Sequence, residues 1–348
     1  MSNVRVLVVD DSPTVRHHLV GLINEMPNLT VVGEAADGQA AVEQTAALEP
    51  DVITMDIQMP HVDGLEATRR IMRQVPTPIV IVSGLVNDQI NLSFQAVEAG
   101  ALAVISKPSA RHAPTFSAQQ RQLTNTLMAM AGVRVIRRWN NGTGEALMLP
   151  LSVDRLELVA IGASAGGPSA LNRILSALPA DFNLPVLVAQ HMPPEFVAGL
   201  VRWLDNTSPL QVRLAAQGDI LRPGVVYLAP GDAHLTVIRR GYLLVAELVY
   251  ESGASLYQPS IDHLFHSVAA TCGAAAAGVI LTGMGSDGAD GLLAMRRAGA
   301  VTFAQDQASS AVFGMPAAAI DRGAVTHILP IDHLHQALMT AVTAVSGW

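Results

Sequence analysis

Three residues in the second half of the chain combine the groups that nucleophilic catalysis needs. Ser164 lies in VAIGASAGGPSAL (159–171), where an apolar run gives way to a Gly-rich turn and then a helical pattern. The small neighbours Ala163, Ala165, Gly166 and Gly167 permit a tight bend and let a substrate approach the hydroxyl. The helix start behind the turn offers backbone N–H groups and a positive dipole end to a developing oxyanion. A serine hydroxyl is a poor nucleophile until a base takes its proton, and His191, at the end of the apolar run in VLVAQHMP (186–193), is placed to do so. A histidine base needs an orienting carboxylate. GVILTGMGSDGADGL (278–292) supplies Asp287 on a second Gly-rich loop after an apolar run.

Plainer readings compete residue by residue. A histidine at a strand end is commonly structural or solvated, and an aspartate in Gly-Ser-Asp-Gly is commonly a turn former. Gly162-x-Ser164-x-x-Gly167 approaches a dinucleotide fingerprint, but that motif wants glycine where Ser164 stands, so that pyrophosphate can reach the backbone. The three residues together, each after an apolar strand, favour acyl transfer. Their chain order is Ser, His, Asp, whereas in α/β-hydrolases the acid precedes the histidine, so the triad is expected to be convergent on a doubly wound sheet.

A second constellation lies in the first third. Asp10 and Asp11 follow the first apolar run, Asp56 falls in the third, Ser83 closes the fourth and Lys107 follows the fifth. In an open parallel sheet the carboxyl ends of the strands gather at one crevice, so these five residues can converge. Carboxylates pushed together repel one another and call for a hard cation such as Mg2+. Asp56 then becomes a plausible nucleophile toward a phosphodonor, with Lys107 and the Ser83 hydroxyl holding phosphoryl oxygens. Solvated acids or helix caps account for any one of these residues, but not easily for all five at strand ends.

The elements that must position these groups are legible as hydrophobic patterns. VRVLVVD (4–10), LTVVGEA (29–35), DVITMDI (51–57), TPIVIVSG (77–84) and ALAVISKP (101–108) are short and Val/Ile-rich, as strands buried on both faces are. Between them lie helical patterns. The clearest places Val15, Leu19, Leu22, Ile23 and Met26 on one face, with Ser12 as N-cap and Pro13 in the first turn. A second α/β series opens with LELVAIGAS (156–164). It continues through PVLVAQH (185–191), GVVYLAP (224–230), GYLLVAELV (241–249), AAGVILTG (276–283) and AVTFAQD (300–306), and HLTVIRRGYLLVAEL reads as a hairpin turning at Arg-Arg-Gly. Between the two series, LTNTLMAMAGVRVI fits either a last helix on the first domain or a linker helix, and Arg137-Arg138 reads as a solvated linker face. The expected fold is α/β, with two doubly wound parallel-sheet domains, the second Rossmann-like with an added β-hairpin.

Bulk composition narrows the function classes. The 348 residues suit two domains, and 21 Lys plus Arg against 29 Asp plus Glu give a net charge of -8, which argues against a dominant nucleic-acid surface. Cys272 is the sole cysteine, so neither a disulfide nor a thiolate metal cluster forms within the chain, and a cytoplasmic setting is expected. Residues 1–10 lack a signal peptide's basic start, and the Ala/Gly-rich stretch near 268–285 reads as a helix end running into a buried strand rather than a membrane span. His263 and His266 share a helical face without a convincing third metal ligand. Cys272 reads as a small hydrophobe, and no chemistry is assigned to Asp290 or Asp306.

Over roughly residues 1–130 the segments VVDDSP, MDIQMP, IVSG and SKP resemble the response-regulator receiver family. That resemblance implies Asp56 as phosphoacceptor and Mg2+ held by Asp11, Asp56 and the Gln58 backbone carbonyl, with Asp10 assisting. It implies Ser83 and Lys107 as switch residues and a cis Lys107–Pro108 bond. Val104 departs from the aromatic residue often found at its position. GASAGG, QHMP, LTGMGSDGADG and AQDQASSAVFGMP, across nearly all of 155–348, resemble the chemotaxis protein-glutamate methylesterase family. By that resemblance Ser164, His191 and Asp287 are the triad and the Met284 backbone helps bind the oxyanion, while Ala165 replaces a common threonine.

The two resemblances together imply a receiver over 1–130, a linker over 131–154 and a methylesterase domain over 155–348. They imply a hydrolase that demethylates receptor glutamates and deamidates particular glutamines, with no cofactor for the esterase. The implied partners are the cytoplasmic regions of methyl-accepting chemoreceptors and a histidine kinase, without nucleic acid or membrane insertion. The unphosphorylated receiver is expected to cover the triad. Two alternatives stay open: the same triad serving receptors of a non-motility pathway, and a non-catalytic response regulator whose output domain binds a partner. An intact triad and the absence of a helix-turn-helix motif weigh against the second.

Overall fold

A computed structural model describes residues 3–84, 87–133, 156–250 and 258–343. The chain divides into two compact units, residues 1–140 and 141–348.

In the first unit strands and helices alternate strictly: β1 (Val4–Val9), α1 (Pro13–Asn24), β2 (Leu29–Ala35), α2 (Gly38–Leu48), β3 (Val52–Met55), α3 (Gly64–Gln74), β4 (Ile79–Ser83), α4 (Asn87–Ala99), β5 (Ala103–Ser106) and α5 (Phe116–Ala131). The sheet is parallel with order β2-β1-β3-β4-β5, so the switch in strand order lies between β1 and β3. Strands β3 and β4 are buried along their whole length, which is why they read as unbroken apolar runs. Helix α1 starts as its sequence dictates: Pro13 occupies the first turn, and the Ser12 Oγ accepts the Val15 N–H at 3.5 Å. Leu19, Leu22 and Ile23 are buried, while Met26 falls beyond the helix end. The ambiguous helical stretch near 123–131 belongs to α5, whose buried Leu123, Leu127 and Met130 pack on this unit. The rest of the expected linker from residue 134, Arg137-Arg138 included, lies outside the described residues.

The second unit contains β6 (Leu158–Ala163), α6 (Gly167–Leu175), β7 (Val186–Gln190), α7 (Pro194–Thr207), β8 (Gln211–Leu214), β9 (Val225–Leu228), β10 (His234–Arg240), β11 (Leu243–Val249), α8 (Ile261–Cys272), β12 (Ala276–Ile280), α9 (Ala289–Arg297), β13 (Val301–Gln305), α10 (Met315–Asp321), β14 (His327–Leu329) and α11 (Ile331–Thr343). Seven parallel strands run in the order β14-β13-β12-β6-β7-β9-β8. The first strand of the series, β6, lies between β7 and β12, so the three loops leaving β12, β6 and β7 are neighbours at the topological switch. The hairpin β10–β11 forms a separate antiparallel pair. Its inward residues Leu235, Val237, Leu244 and Ala246 join Ile261, Leu264, Phe265 and Val268 of α8 in one core. Its turn differs from the expected one. Arg239 and Arg240 are still paired in β10, and the two-residue turn is Gly241–Tyr242, with Gly241 at φ 62° as such turns require.

Candidate active site and acidic pocket

The alternation of strand and loop delivers the three candidate residues from adjacent strands. Ser164 follows β6, His191 follows β7, and Asp287 lies on the loop between β12 and α9. Backbone bonds stitch these loops together. Ser164 N–H donates to Thr282 O at 3.0 Å, and His191 N–H donates to Ala163 O at 2.9 Å. The loop after β12 passes so close to the serine that only glycine fits at 283. A Cβ there would stand 2.7 Å from the Ser164 Cβ and 2.2 Å from the Met315 Sδ.

Asp287 is the most heavily bonded side chain of the site. Its Oδ2 accepts from His191 Nε2 at 2.7 Å and from Ile261 N–H at 2.7 Å. Its Oδ1 accepts from the Ser260 hydroxyl at 2.9 Å and from Asp262 N–H at 3.1 Å. The carboxylate therefore sits on the N-terminus of α8, where free N–H groups and the helix dipole favour negative charge. Burial alone would push the carboxyl up. The hydrogen bond and charge of His191, with the two backbone N–H groups, outweigh it and bring the value down to about 2. Asp287 is thus an anion throughout the working pH range, and it fixes one ring nitrogen of His191. The His191 side chain is 12% exposed.

Ala165 and Met284 flank this geometry. The Ala165 carbonyl accepts the Thr282 hydroxyl at 2.8 Å, and Thr282 Oγ1 in turn accepts Val312 N–H at 2.9 Å, tying the turn at Ser164 to the segment before α10. Met284 is 43% exposed beside it.

In the first unit, Asp10, Asp11 and Asp56 each bring a carboxylate oxygen within 4.8 Å of the others. Lys107 Nζ bridges Asp10 Oδ2 and Asp56 Oδ2 at 2.8 Å each. Burial holds the Asp56 carboxyl above its ordinary value, with the Asp10 charge adding, against the opposing Lys107 and the Ile57 N–H. Burial would lower Lys107, but its two carboxylate partners raise it, so the lysine is a firm cation. Three hard oxygen ligands with one bridging ammonium fit a divalent metal such as Mg2+. Ser83 is fully buried at the end of β4, its hydroxyl directed to Gly84 O at 3.3 Å, and Gln58 lies exposed just past Asp56. The Lys107–Pro108 bond is trans, contrary to expectation, since the cis bond among the described residues is Gln258–Pro259. Trans is the lower-energy isomer of an X-Pro bond, and Lys107 reaches both acids from it.

The residues set aside on sequence have structural roles. His263 stacks on buried His234 with ring centroids 4.2 Å apart. Burial pushes the Cys272 thiol up to about 11, the opposite of what a nucleophile needs. Asp306 Oδ1 accepts the Ser309 N–H at 3.0 Å, and Asp290 pairs with Arg322 at 2.9 Å on the surface. Sequence reasoning missed Ser260, Thr282 and Gln190. The signal for Ser260 was an N-cap residue before an apolar helix, and for Gln190 an amide closing the otherwise apolar VLVAQ.

Residues 159–338 match the family model described as CheB methylesterase, and residues 6–113 match the response regulator receiver domain. A protein-glutamate methylesterase/protein-glutamine glutaminase of Myxococcus xanthus is 46% identical over 99% of this chain and 98% of its own length. A protein of the same name from Geobacter metallireducens is also 46% identical, over 99% of both chains. Among solved structures, the catalytic domain of Thermotoga maritima CheB methylesterase aligns with a TM-score of 0.53 and 36% identity, covering 54% of this chain and 99% of that one.

Proposed function

Since the chain belongs to the CheB methylesterase family and carries a response regulator receiver domain ahead of the methylesterase domain, we propose that it hydrolyses glutamate methyl esters of chemoreceptors under control of Asp56 phosphorylation. The observation that carries the reading is the hydrogen bond from His191 to an Asp287 carboxylate anchored on α8, beside a serine on a glycine-bounded turn. With Nε2–H donated to Asp287, the lone pair of a neutral His191 ring is on Nδ1, and that nitrogen acts as the general base.

Ser164 Oγ attacks the ester carbonyl as His191 takes its proton. The tetrahedral oxyanion is met by backbone N–H groups of the nucleophile turn and of the loop at Met284. Its collapse breaks the acyl–oxygen bond, and His191 returns the proton to methanol. Water, deprotonated by the same imidazole, then releases the glutamyl group from Ser164. Particular receptor glutamines enter the same path, with ammonia as leaving group, in keeping with the glutaminase in the relatives' names.

In the receiver, Asp10, Asp11 and Asp56, with the Gln58 carbonyl, would hold Mg2+. Bound there, the ion neutralises the charge that the acids and an incoming phosphoryl group bring together. Asp56 accepts the phosphoryl group from a histidine kinase. Lys107 then exchanges its carboxylate bridge for a phosphoryl oxygen, and the Ser83 hydroxyl turns to another. A cytoplasmic location follows from the substrate, the cytoplasmic region of methyl-accepting receptors. Among the described residues no helix is long and apolar enough to cross a membrane.

The test is methanol release from methylated receptor signalling fragments by the wild type and by Asp56→Asn, with and without Mg2+ and a small-molecule phosphodonor. Stimulation confined to the wild type supports the reading. Equal stimulation of both chains places the control elsewhere.

A further inference from the structure

Gln190, the last residue of β7, has one of the few buried polar side chains of the second unit, 5% exposed. Its Nε2 uses both of its N–H bonds. One goes to the carbonyl of Ser164 and the other to the carbonyl of His191, each at 2.8 Å. The Ser164 carbonyl also accepts Gly167 N–H at 2.8 Å. In a trans peptide the C=O and the following N–H point in opposite directions. Anchoring Ser164 C=O inward therefore aims Ala165 N–H outward, and among the described residues that N–H donates to no protein acceptor.

Two further observations show that the amide has only one workable orientation. Rotating it would set its oxygen against two carbonyls. The Oε1 has no hydrogen-bond partner among the described residues and stands 2.0 Å from where a Cβ on Gly167 would be. The turn thus leaves out a side chain at 167 to seat this amide, and it accepts an unpaired buried oxygen in doing so.

We propose that Gln190 is a positioning residue that sets the direction of the Ser164–Ala165 peptide, holding Ala165 N–H as an oxyanion donor. This rests on Ser164 being the nucleophile. Loss of an oxyanion donor costs about 10²–10³ in kcat. Because Gly167 N–H still holds the Ser164 carbonyl when Gln190 is gone, the expected loss is smaller, about ten- to a hundredfold.

The experiment compares full-length wild type, Gln190→Met, Gly167→Ala and Ser164→Ala on methylated receptor fragments, with an alkylboronic acid as a tetrahedral mimic. The boronic acid bonds through boron to a serine oxygen and carries the negative charge of the oxyanion. Gln190→Met removes both donors at nearly constant shape, and Gly167→Ala displaces the amide without altering it. The expected result is a kcat lowered about ten- to a hundredfold, KM within about threefold, and boronate affinity lowered in parallel with kcat. Either variant suffices if the other does not fold. A folded variant with wild-type kcat, or a fall in kcat with unchanged boronate affinity, overturns the inference while inactive Ser164→Ala leaves the site standing. A fully active Ser164→Ala overturns the site, and this inference with it.

Discussion

Replacing Asp287 by Asn tests the anchoring of the triad in two independent currencies. The carboxylate accepts four hydrogen bonds, two at each oxygen, from His191, Ile261, Ser260 and Asp262. An amide offers one acceptor oxygen and sets an NH2 group where two donors already point. Placed at the Oδ2 position, that NH2 faces His191 Nε2 and forces the ring proton onto Nδ1, removing the base. Such a change of tautomer in a Ser-His-Asp triad costs about 10⁴ in kcat. Stability changes as well. The folded carboxyl lies below its ordinary 3.8, at about 2, so the fold favours the anion. That contribution is complete above the ordinary value and is lost as pH falls through the folded one. At about 1.36 kcal/mol per pH unit the gap corresponds to about 2 kcal/mol. Denaturant titrations of the wild type between pH 5 and pH 2, read with a probe in the second unit, should show that loss, whereas Asp287→Asn should lack it. Methanol release by Asp287→Asn should fall by about three to four orders of magnitude. Activity within tenfold of wild type, together with an unchanged acid limb of stability, would refute the assignment of Asp287 as anchor.

Other perturbations follow from the same contacts. Burial makes ionised Asp56 the disfavoured form, so that group favours the fold below its ordinary pKa and loses this advantage as pH rises. In metal-free buffer Asp56→Asn should therefore melt above wild type at pH 7, with the difference shrinking toward pH 4. A lower melting temperature at pH 7 would mean that the lost Lys107 contact outweighs the relief. Gly283→Ala should lower activity at least tenfold and stability by about 1–3 kcal/mol, because its methyl group meets Ser164 and Met315. Chemical denaturation and methanol release check both. Chelation of divalent cations should abolish stimulation by a phosphodonor while leaving unstimulated methanol release unchanged, since nothing in the proposed esterase steps uses a metal.

The parallel-sheet architecture was legible because the central strands are buried on both faces and read as Val/Ile runs, and their loops carry the candidate site residues by topology alone. What escaped was at the edges. β8 is an outer strand of alternating exposure, QVRL, and β14 has only three residues, so neither builds an apolar run. The hairpin turn was displaced because Gly241 and Tyr242, rather than the arginines, match the twist of the paired strands. Ser164, His191 and Asp287 were legible as residue types after strands. The ring nitrogen of His191 that Asp287 holds was not, since it depends on how two loops meet. Ser260 and Gln190 work through partners 27 and 26 residues away, a relation no local spacing encodes.

The central claim is that receptor demethylation runs through an acyl-enzyme on Ser164. During that step the receptor's glutamyl group is covalently joined to the enzyme, so rapid acid quenching of a methylated receptor fragment with wild-type chain captures a conjugate. Peptide mapping of that conjugate, alongside methanol release, is the most direct measurement. The account predicts a linkage at Ser164, with neither conjugate nor methanol from Ser164→Ala. Methanol release by Ser164→Ala at the wild-type rate, or a conjugate mapped to another residue, would contradict it.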